Sequence, residues 1–347
     1  MSENDPSTTA SGKATTFDVA RIAGVSRATV SRAFDENGII NEETRRRVLA
    51  IAAQLNYQPH ALARGLNRRR SDLVALLAEN LRNPLEAELH DLLVSRLGDM
   101  KLQPLLVPVG DRSTIEQRLR IAAGYQVSAA MAWADHVTPD MLRAAFGAAT
   151  PCIMVNGQIG EKVDTIHTDP REGITELVEN AHRLHDRFGF IAGRSRSFQS
   201  HERKTCLERA LQAHGRALSA VREGDFTYRS GYDAALELAG GSQPVDFIMA
   251  ANDSMAMGAM DAIRYDLRLR VPDDISVVGF DGIEASGWRS YDLTTITATM
   301  PVMVRTLLDC LAARRANPDR DAIYHALPTR LIQRTSARIP GHGTALN

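Results

Sequence analysis

FDVARIAGVSRATVSRAFDENGIINEETRRRVLAIAAQLNY, residues 17–57, decides what the N-terminal part of the chain is. Just ahead of it, Thr15-Thr16-Phe17-Asp18 has the T-x-x-D spacing of a capping box, so a helix is expected to start there and carry Val19, Ile22 and Ala23 inward. Gly24 ends that helix, because glycine takes the left-handed turn without steric cost. Ser26 is placed to cap a second helix, Arg27 to about Phe34, whose buried side holds Val30 and Ala33. Asn41 caps a third, EETRRRVLAIAAQLNY, in which Val48, Ile51, Ala52 and Leu55 recur at helical spacing opposite Arg45–Arg47 and which Pro59 stops. Three short helices, the first two joined by a tight glycine turn, make a helix-turn-helix.

Charge points the same way. The chain is nearly neutral, with a formal charge of −1, yet residues 13–70 hold eleven Lys/Arg against five Asp/Glu. A basic head on a mildly acidic body is the asymmetry expected when one end meets phosphate. Residues 1–14 are polar and read as a disordered tail without the apolar core of a secretion signal. No stretch is long and apolar enough to span a membrane, and Cys152, Cys206 and Cys310 are odd in number without metal spacing. A cytoplasmic protein with reduced thiols is the expectation.

Beyond the polar bridge Asn67–Ser71 the pattern changes to strand–helix alternation. LVALLA (73–78) is a buried apolar run, followed by the amphipathic helix PLEAELHDLLVSRLGDM. QPLLVPV, AAMAWA, PCIMVN, FGFIAG, DFIMAAN and DISVVGF repeat the strand beat. Repeated β-α units predict mostly parallel sheets with helices on both faces. The roughly 260 residues of this body exceed one such sheet, so two similar lobes are expected. The strand ends Asn156, Gly193, Asn252 and Asp281 fall where open α/β sheets bind ligands. Asp253 is expected to cap the helix that follows it. Phosphate-loop, dinucleotide, zinc-protease and nucleophile-elbow motifs are all missing from the sequence, so no enzyme, cofactor or metal is expected.

The DVAxxAGVSxxTVSR core, the LNYxP turn and the hinge after it resemble the head of the lactose-repressor (LacI) family of bacterial regulators. REGDFTYRSGY, AANDSMAMGAMDAI and PDDISVVGFDG followed by LTTI resemble the blocks of its effector domain, and the likeness spans residues 15–338. The fold this implies is an N-terminal all-α helix-turn-helix domain plus an α/β two-lobed domain of the periplasmic-binding-protein type with parallel sheets. Its implied boundaries are 15–58 for the head, 59–72 for a hinge helix and linker, 73–338 for the effector and dimerisation domain, and 339–347 for a tail. The chain is expected to pass between lobes near 160–170 and 292–300.

The implied function is a repressor that binds a pseudo-palindromic double-stranded DNA operator as a homodimer and answers to a small effector. On the DNA side the resemblance places Arg27, Ala28 and Arg32 at base-reading positions, which suits an arginine at the start of a helix that enters the major groove. Ser26, Thr29, Ser31, Asn41 and Tyr57 are the implied phosphate partners. Leu62 and Leu66 of the hinge are the implied minor-groove wedge.

On the effector side the motifs assign Asn156, Arg203, Phe226, Asn252 and Asp281, with Asn80 at the end of the first body strand as a further candidate. Carboxylate, amide and guanidinium groups beside an aromatic ring suit a polyol. Asn83–Glu86 replaces an aromatic pair that many sugar-binding members carry, so the effector stays open: a sugar, a polyol or a sugar acid, in that order, with Arg194, Arg196 and Arg203 near one strand end leaving room for an acid or phosphorylated ligand. The competing readings are an enzyme, a periplasmic transport receptor and, should the head not bind DNA, a cytosolic sensor of binding-protein fold that acts through protein contacts.

Overall fold

The computed structural model describes residues 14–35, 38–58 and 71–340. The chain divides into two compact units between Ser71 and Asp72. The expected hinge helix, with Leu62 and Leu66, lies outside the described residues, as do the tails 1–13 and 341–347.

The first unit holds α1 (Thr16–Ala23), α2 (Arg27–Ala33) and α3 (Glu42–Gln54). The capping box forms as its spacing predicts: Thr15 accepts from the Asp18 amide, and the Asp18 carboxylate accepts from the Thr15 amide at 2.9 Å. Gly24 ends α1 in the left-handed region, at φ +62°. Val19, Ala23, Val30, Ala33, Val48 and Ala52 form the core, with Phe34 and Tyr57 packed edge-to-face over it. Two details differ from the sequence reading. Helix α3 stops at Gln54, because Asn56 takes a left-handed φ of 48°. Arg45 does not simply point to solvent. Its guanidinium donates to the carbonyls of Ala33, Asp35 and Gly38, which ties off the end of α2 and the loop beyond it.

The second unit is two lobes, each built on a six-stranded sheet. The first lobe contains β1 (Leu73–Ala78), α4 (Pro84–Asp99), β2 (Gln103–Pro108), α5 (Ile115–Gly124), β3 (Ala129–Trp133), α6 (Pro139–Phe146), β4 (Cys152–Val155) and β5 (Val163–Asp169). The second lobe contains α7 (Arg171–Ala181), β6 (Phe188–Ala192), α8 (Phe198–Ala213), β7 (Leu218–Glu223), α9 (Tyr228–Gly240), β8 (Phe247–Ala250), α10 (Asp253–Asp261), β9 (Ser276–Phe280) and β10 (Thr294–Thr297). The chain then returns to the first lobe through α11 (Met300–Ala316) and β11 (Tyr324–Pro328). It crosses once more to end the second sheet with β12 (Arg330–Ile332).

The strand orders are β2-β1-β3-β4-β5-β11 and β7-β6-β8-β9-β10-β12, and every pair except β10–β12 is parallel. Parallel strands need both faces covered, and the cores show it. Leu76, Leu89, Leu93 and Leu307 fill one face of the first sheet, and Leu77, Leu119 and Leu142 fill the other. Phe188, Phe190, Phe247 and Phe280 centre the second lobe. In each sheet the chain order reverses at one point, between β1 and β3 and between β6 and β8. Open α/β sheets bind ligands at the carboxyl ends of such switch points.

Candidate functional site

In the first unit, helix α2 turns one side to the core through Val30 and Ala33. Arg27, Ala28, Ser31 and Arg32 are all exposed on the other side. Ser26 begins the helix: its hydroxyl accepts from the Thr29 amide at 3.1 Å and lies 2.9 Å from the Thr29 hydroxyl. Asn41 caps α3 by accepting from Glu43, and the Tyr57 hydroxyl is 2.7 Å from that of Thr16. These three side chains therefore have structural bonds of their own. The four exposed residues of α2 form one face with an arginine near each end, Arg27 at the start of the helix and Arg32 in its last turn.

In the second unit a cleft opens between the lobes, lined by the switch-point ends of both sheets. From the second lobe come Arg203, Phe226 and Asp281; from the first come Asn80, Asn83, Glu86 and Trp133. The floor is a fixed ion pair. Arg203 projects from α8, is only 4% exposed, and donates to Asp281 Oδ1 at 3.0 Å. The same guanidinium donates to Gln199 Oε1 and to the Ala251 carbonyl, and lies 3.7 Å from the centre of the Phe280 ring. An arginine held from four sides has one orientation, and it presents that orientation to the cleft. Burial pushes the Asp281 carboxyl above the ordinary range, against the pull of Arg203.

The backbone around this floor is strained. Phe226 has φ +71° and Asp281 φ +111°, the left-handed region that side chains seldom adopt. Asp281 is held there from both sides. Its amide donates to Ile296, and its carbonyl accepts from Thr297 at 2.6 Å. The next two amides, of Gly282 and Ile283, both donate to Asp253 Oδ2. The Phe226 ring lies against Gly193, where any Cβ would fall 2.1 Å from the ring. That glycine lets an aromatic face lie flat beside the β6 end.

Asn80, Arg203, Phe226 and Asp281 thus come together in one cleft. Asn156 and Asn252 do not line it, since their amides are used within the protein. Asn156 accepts from the Thr168 amide at 2.7 Å and reaches Gln199. Asn252 caps α10 by accepting from Met255, and it donates to the Phe226 carbonyl at 3.0 Å. The cap expected of Asp253 is therefore made by Asn252. Asp253 is fully buried and accepts the Thr295 hydroxyl as well as the two amides after Asp281; burial pushes its carboxyl up to about 8.

Sequence reasoning missed Trp133 and Glu86. Trp133 is the last residue of β3, and strand-end position was the signal that marked Asn156. Glu86 sits one turn into α4 and accepts the amides of Glu79 and Asn80 at 2.6 and 2.8 Å, and burial raises its carboxyl to about 7. Its role depends on a loop folding back, which no spacing rule shows. Among the described residues there is no cluster able to hold a metal ion, and no helix is long and apolar enough to cross a membrane.

Comparison with known proteins accounts for both halves. Residues 15–60 match the family of bacterial regulatory proteins called the lacI family, and residues 177–337 match the periplasmic binding protein-like domain. The chain is 30% identical over 294 residues to the HTH-type transcriptional repressor PurR of Histophilus somni, covering 82% of this chain and 86% of that protein. The crystal structure of the lac repressor dimer bound to operator and the anti-inducer ONPF superposes with a TM-score of 0.83 at 26% identity, covering 94% of this chain and 99% of that one. The complex of the transcriptional regulator CelR with cellobiose superposes at 0.68, also at 26% identity, covering 93% and 100%.

Proposed function

This chain belongs to the lacI family of bacterial regulatory proteins, and on that premise we propose that it is a repressor whose hold on its operator is set by a sugar or polyol bound in the cleft of its second unit. It is a transcriptional regulator with a DNA-binding helix-turn-helix head. The observation that carries the effector half is the Arg203–Asp281 pair in a cleft that Phe226 and Trp133 also line. A neighbouring carboxylate and guanidinium accept from and donate to adjacent hydroxyls, while aromatic faces cover the C–H face of a ring. The ligand of CelR, a sugar, supports this class. Asn80, Arg203, Phe226 and Asp281 touch the effector; Asn156 and Asn252 position their neighbours.

On the DNA side Arg27 and Arg32 read base edges in the major groove and Ala28 offers a methyl contact. Ser26, Thr29, Ser31, Asn41 and Tyr57 meet phosphates. Leu62 and Leu66 of segment 59–72 serve as the minor-groove wedge, and the second unit, 73–338, dimerises so that two heads meet a pseudo-palindrome. The protein works in the cytoplasm, where its operator is, and catalyses no reaction. Its effector acts by binding the open and closed lobe arrangements unequally.

The test is a fluorescence-anisotropy titration of the full chain against DNA from its own upstream region, with and without a panel of sugars and polyols. The expected outcome is salt-sensitive, sequence-specific binding that one compound shifts by tenfold or more. Specific DNA binding that no compound moves, with no compound bound by calorimetry, would remove the effector half.

A further inference from the structure

The cleft continues outward past Asn80 into a mouth that the polyol reading does not use. Two arginines line this mouth from opposite lobes: Arg112, in the loop between β2 and α5, and Arg196, in the loop between β6 and α8. Both are exposed, and neither is ion-paired with a described residue. The other charges nearby are already matched. Glu79 is bonded to Arg194 across the cleft, accepts the Asp135 amide at 2.9 Å, and lies 3.5 Å from His136 Nδ1. Asp135 is half-buried, and that desolvation raises its carboxyl; it shares a hydrogen bond with Ser197. The surplus left in the mouth is two guanidiniums, one from each lobe.

We propose that this mouth is a subsite for a phosphomonoester group gripped between Arg112 and Arg196, so that the effector is a phosphorylated sugar or polyol. The proposal rests on the polyol reading of the inner cleft and names what that ligand carries. Charge and geometry favour phosphate over carboxylate. A phosphomonoester carries nearly two negative charges near neutral pH and three terminal oxygens, so one fork from each lobe has oxygens to bind. A carboxylate has one charge and two oxygens, which a single arginine fork already fills. The placement also gives the group leverage. Bringing the lobes together moves two like charges closer, and a dianion between them turns that repulsion into attraction. The phosphate end of the ligand then distinguishes open from closed, while the sugar end supplies identity.

The test is isothermal titration calorimetry on the full chain at constant ionic strength, with inorganic phosphate, acetate, and pairs of sugar phosphates with their parent sugars. The variants are Arg112→Gln with Arg196→Gln, two exposed positions where the fold is not at stake, and Asp281→Asn. The proposal expects inorganic phosphate to bind the wild type and to weaken by about tenfold or more in the double arginine variant. It expects acetate not to bind. Phosphate binding that survives in the double variant comes from elsewhere, such as the basic head, and overturns the proposal; so does acetate binding equally well, or no phosphate binding. Failure of the inner-cleft reading looks different: sugar binding indifferent to Asp281→Asn while the phosphate result stands.

Discussion

Arg203 and Asp281 meet at 3.0 Å with their side chains 5% and 6% exposed, one from the first turns of α8 and the other from the strained turn after β9. Each is the other's main compensation for leaving water. Asp281→Ala is therefore expected to lower unfolding free energy by about 3–5 kcal/mol, because it strands a buried guanidinium. Arg203→Met combined with Asp281→Leu should recover most of that loss and leave the protein unable to answer its effector. Urea unfolding paired with an effector titration checks both halves. A loss below about 1 kcal/mol in Asp281→Ala would mean that Gln199 and the Ala251 carbonyl suffice for Arg203.

The exposed arginines of α2 separate reading from folding. Arg32→Ala should leave thermal stability within about 0.5 kcal/mol, weaken operator binding by about 1–3 kcal/mol, and relax preference at one base pair. Ser26→Ala removes the helix cap and should instead destabilise the head by about 1 kcal/mol. Anisotropy against a set of single-base operator variants, beside melts of both proteins, tells the effects apart. A uniform loss across all operators in Arg32→Ala would reassign that residue to the phosphate backbone.

Asp164 is wholly buried and is surrounded by donors: Arg314, Arg320 and the Ile323 amide. Arg314, 1% exposed, also donates to the carbonyls of Pro318, Arg320 and Asp321, so one cluster fastens the end of α11 to β5 and shapes the loop into β11. Asp164→Ala is expected to be among the most damaging single changes, at about 3–5 kcal/mol, though the residue does not line the cleft. Denaturant melts at matched concentration measure it.

Asp253→Asn should alter the pH dependence of stability. The Asp253 carboxyl is raised in the folded protein to about 8 from 3.8. A raised value contributes stability that is fully present below the unfolded value and is lost as pH rises through the folded one. Asparagine keeps the acceptor for Gly282 and Ile283 and stays neutral. The wild type should therefore lose stability relative to Asp253→Asn between about pH 4 and pH 8, with a slope of up to about 1.4 kcal/mol per unit. Parallel slopes for the two proteins across that window would mean that the carboxylate stays ionised on its three donors.

The head was legible nearly residue by residue, because its helices are bounded by local chemistry: Thr15 with Asp18, Gly24, Ser26 and Asn41 each act within a few residues. The body strands that stood out were apolar runs. β5, VDTIHTD, did not stand out, although six of its seven residues are buried. Its Asp164 is neutralised by α11, and its Thr168 amide is held by Asn156, partners that only the folded chain brings near. β7, LSAVRE, is an edge strand that is largely half-exposed and carries no apolar signature. The cleft divides in the same way. Asp281 sits in the recognisable block PDDISVVGFDG and Arg203 falls ten residues after the strand-end Gly193, whereas Glu86 joined the site because a loop returned its amides to it. Asn252 was expected at the ligand and is used instead to carry Phe226.

The last crossing, with Thr329 alone between β11 and β12, has a consequence for synthesis. The first sheet gains its outer strand, and the covering helix α11, only after the whole second lobe has been made. The second sheet gains its final strand later still. A ribosome that stops between Asp72 and Tyr324 therefore releases a chain with neither lobe finished, but with the head, which has its own core, already complete. Premature termination within the body thus leaves a folded head without the unit proposed to dimerise it and to sense the effector, so the order in which the chain emerges ties control to complete synthesis.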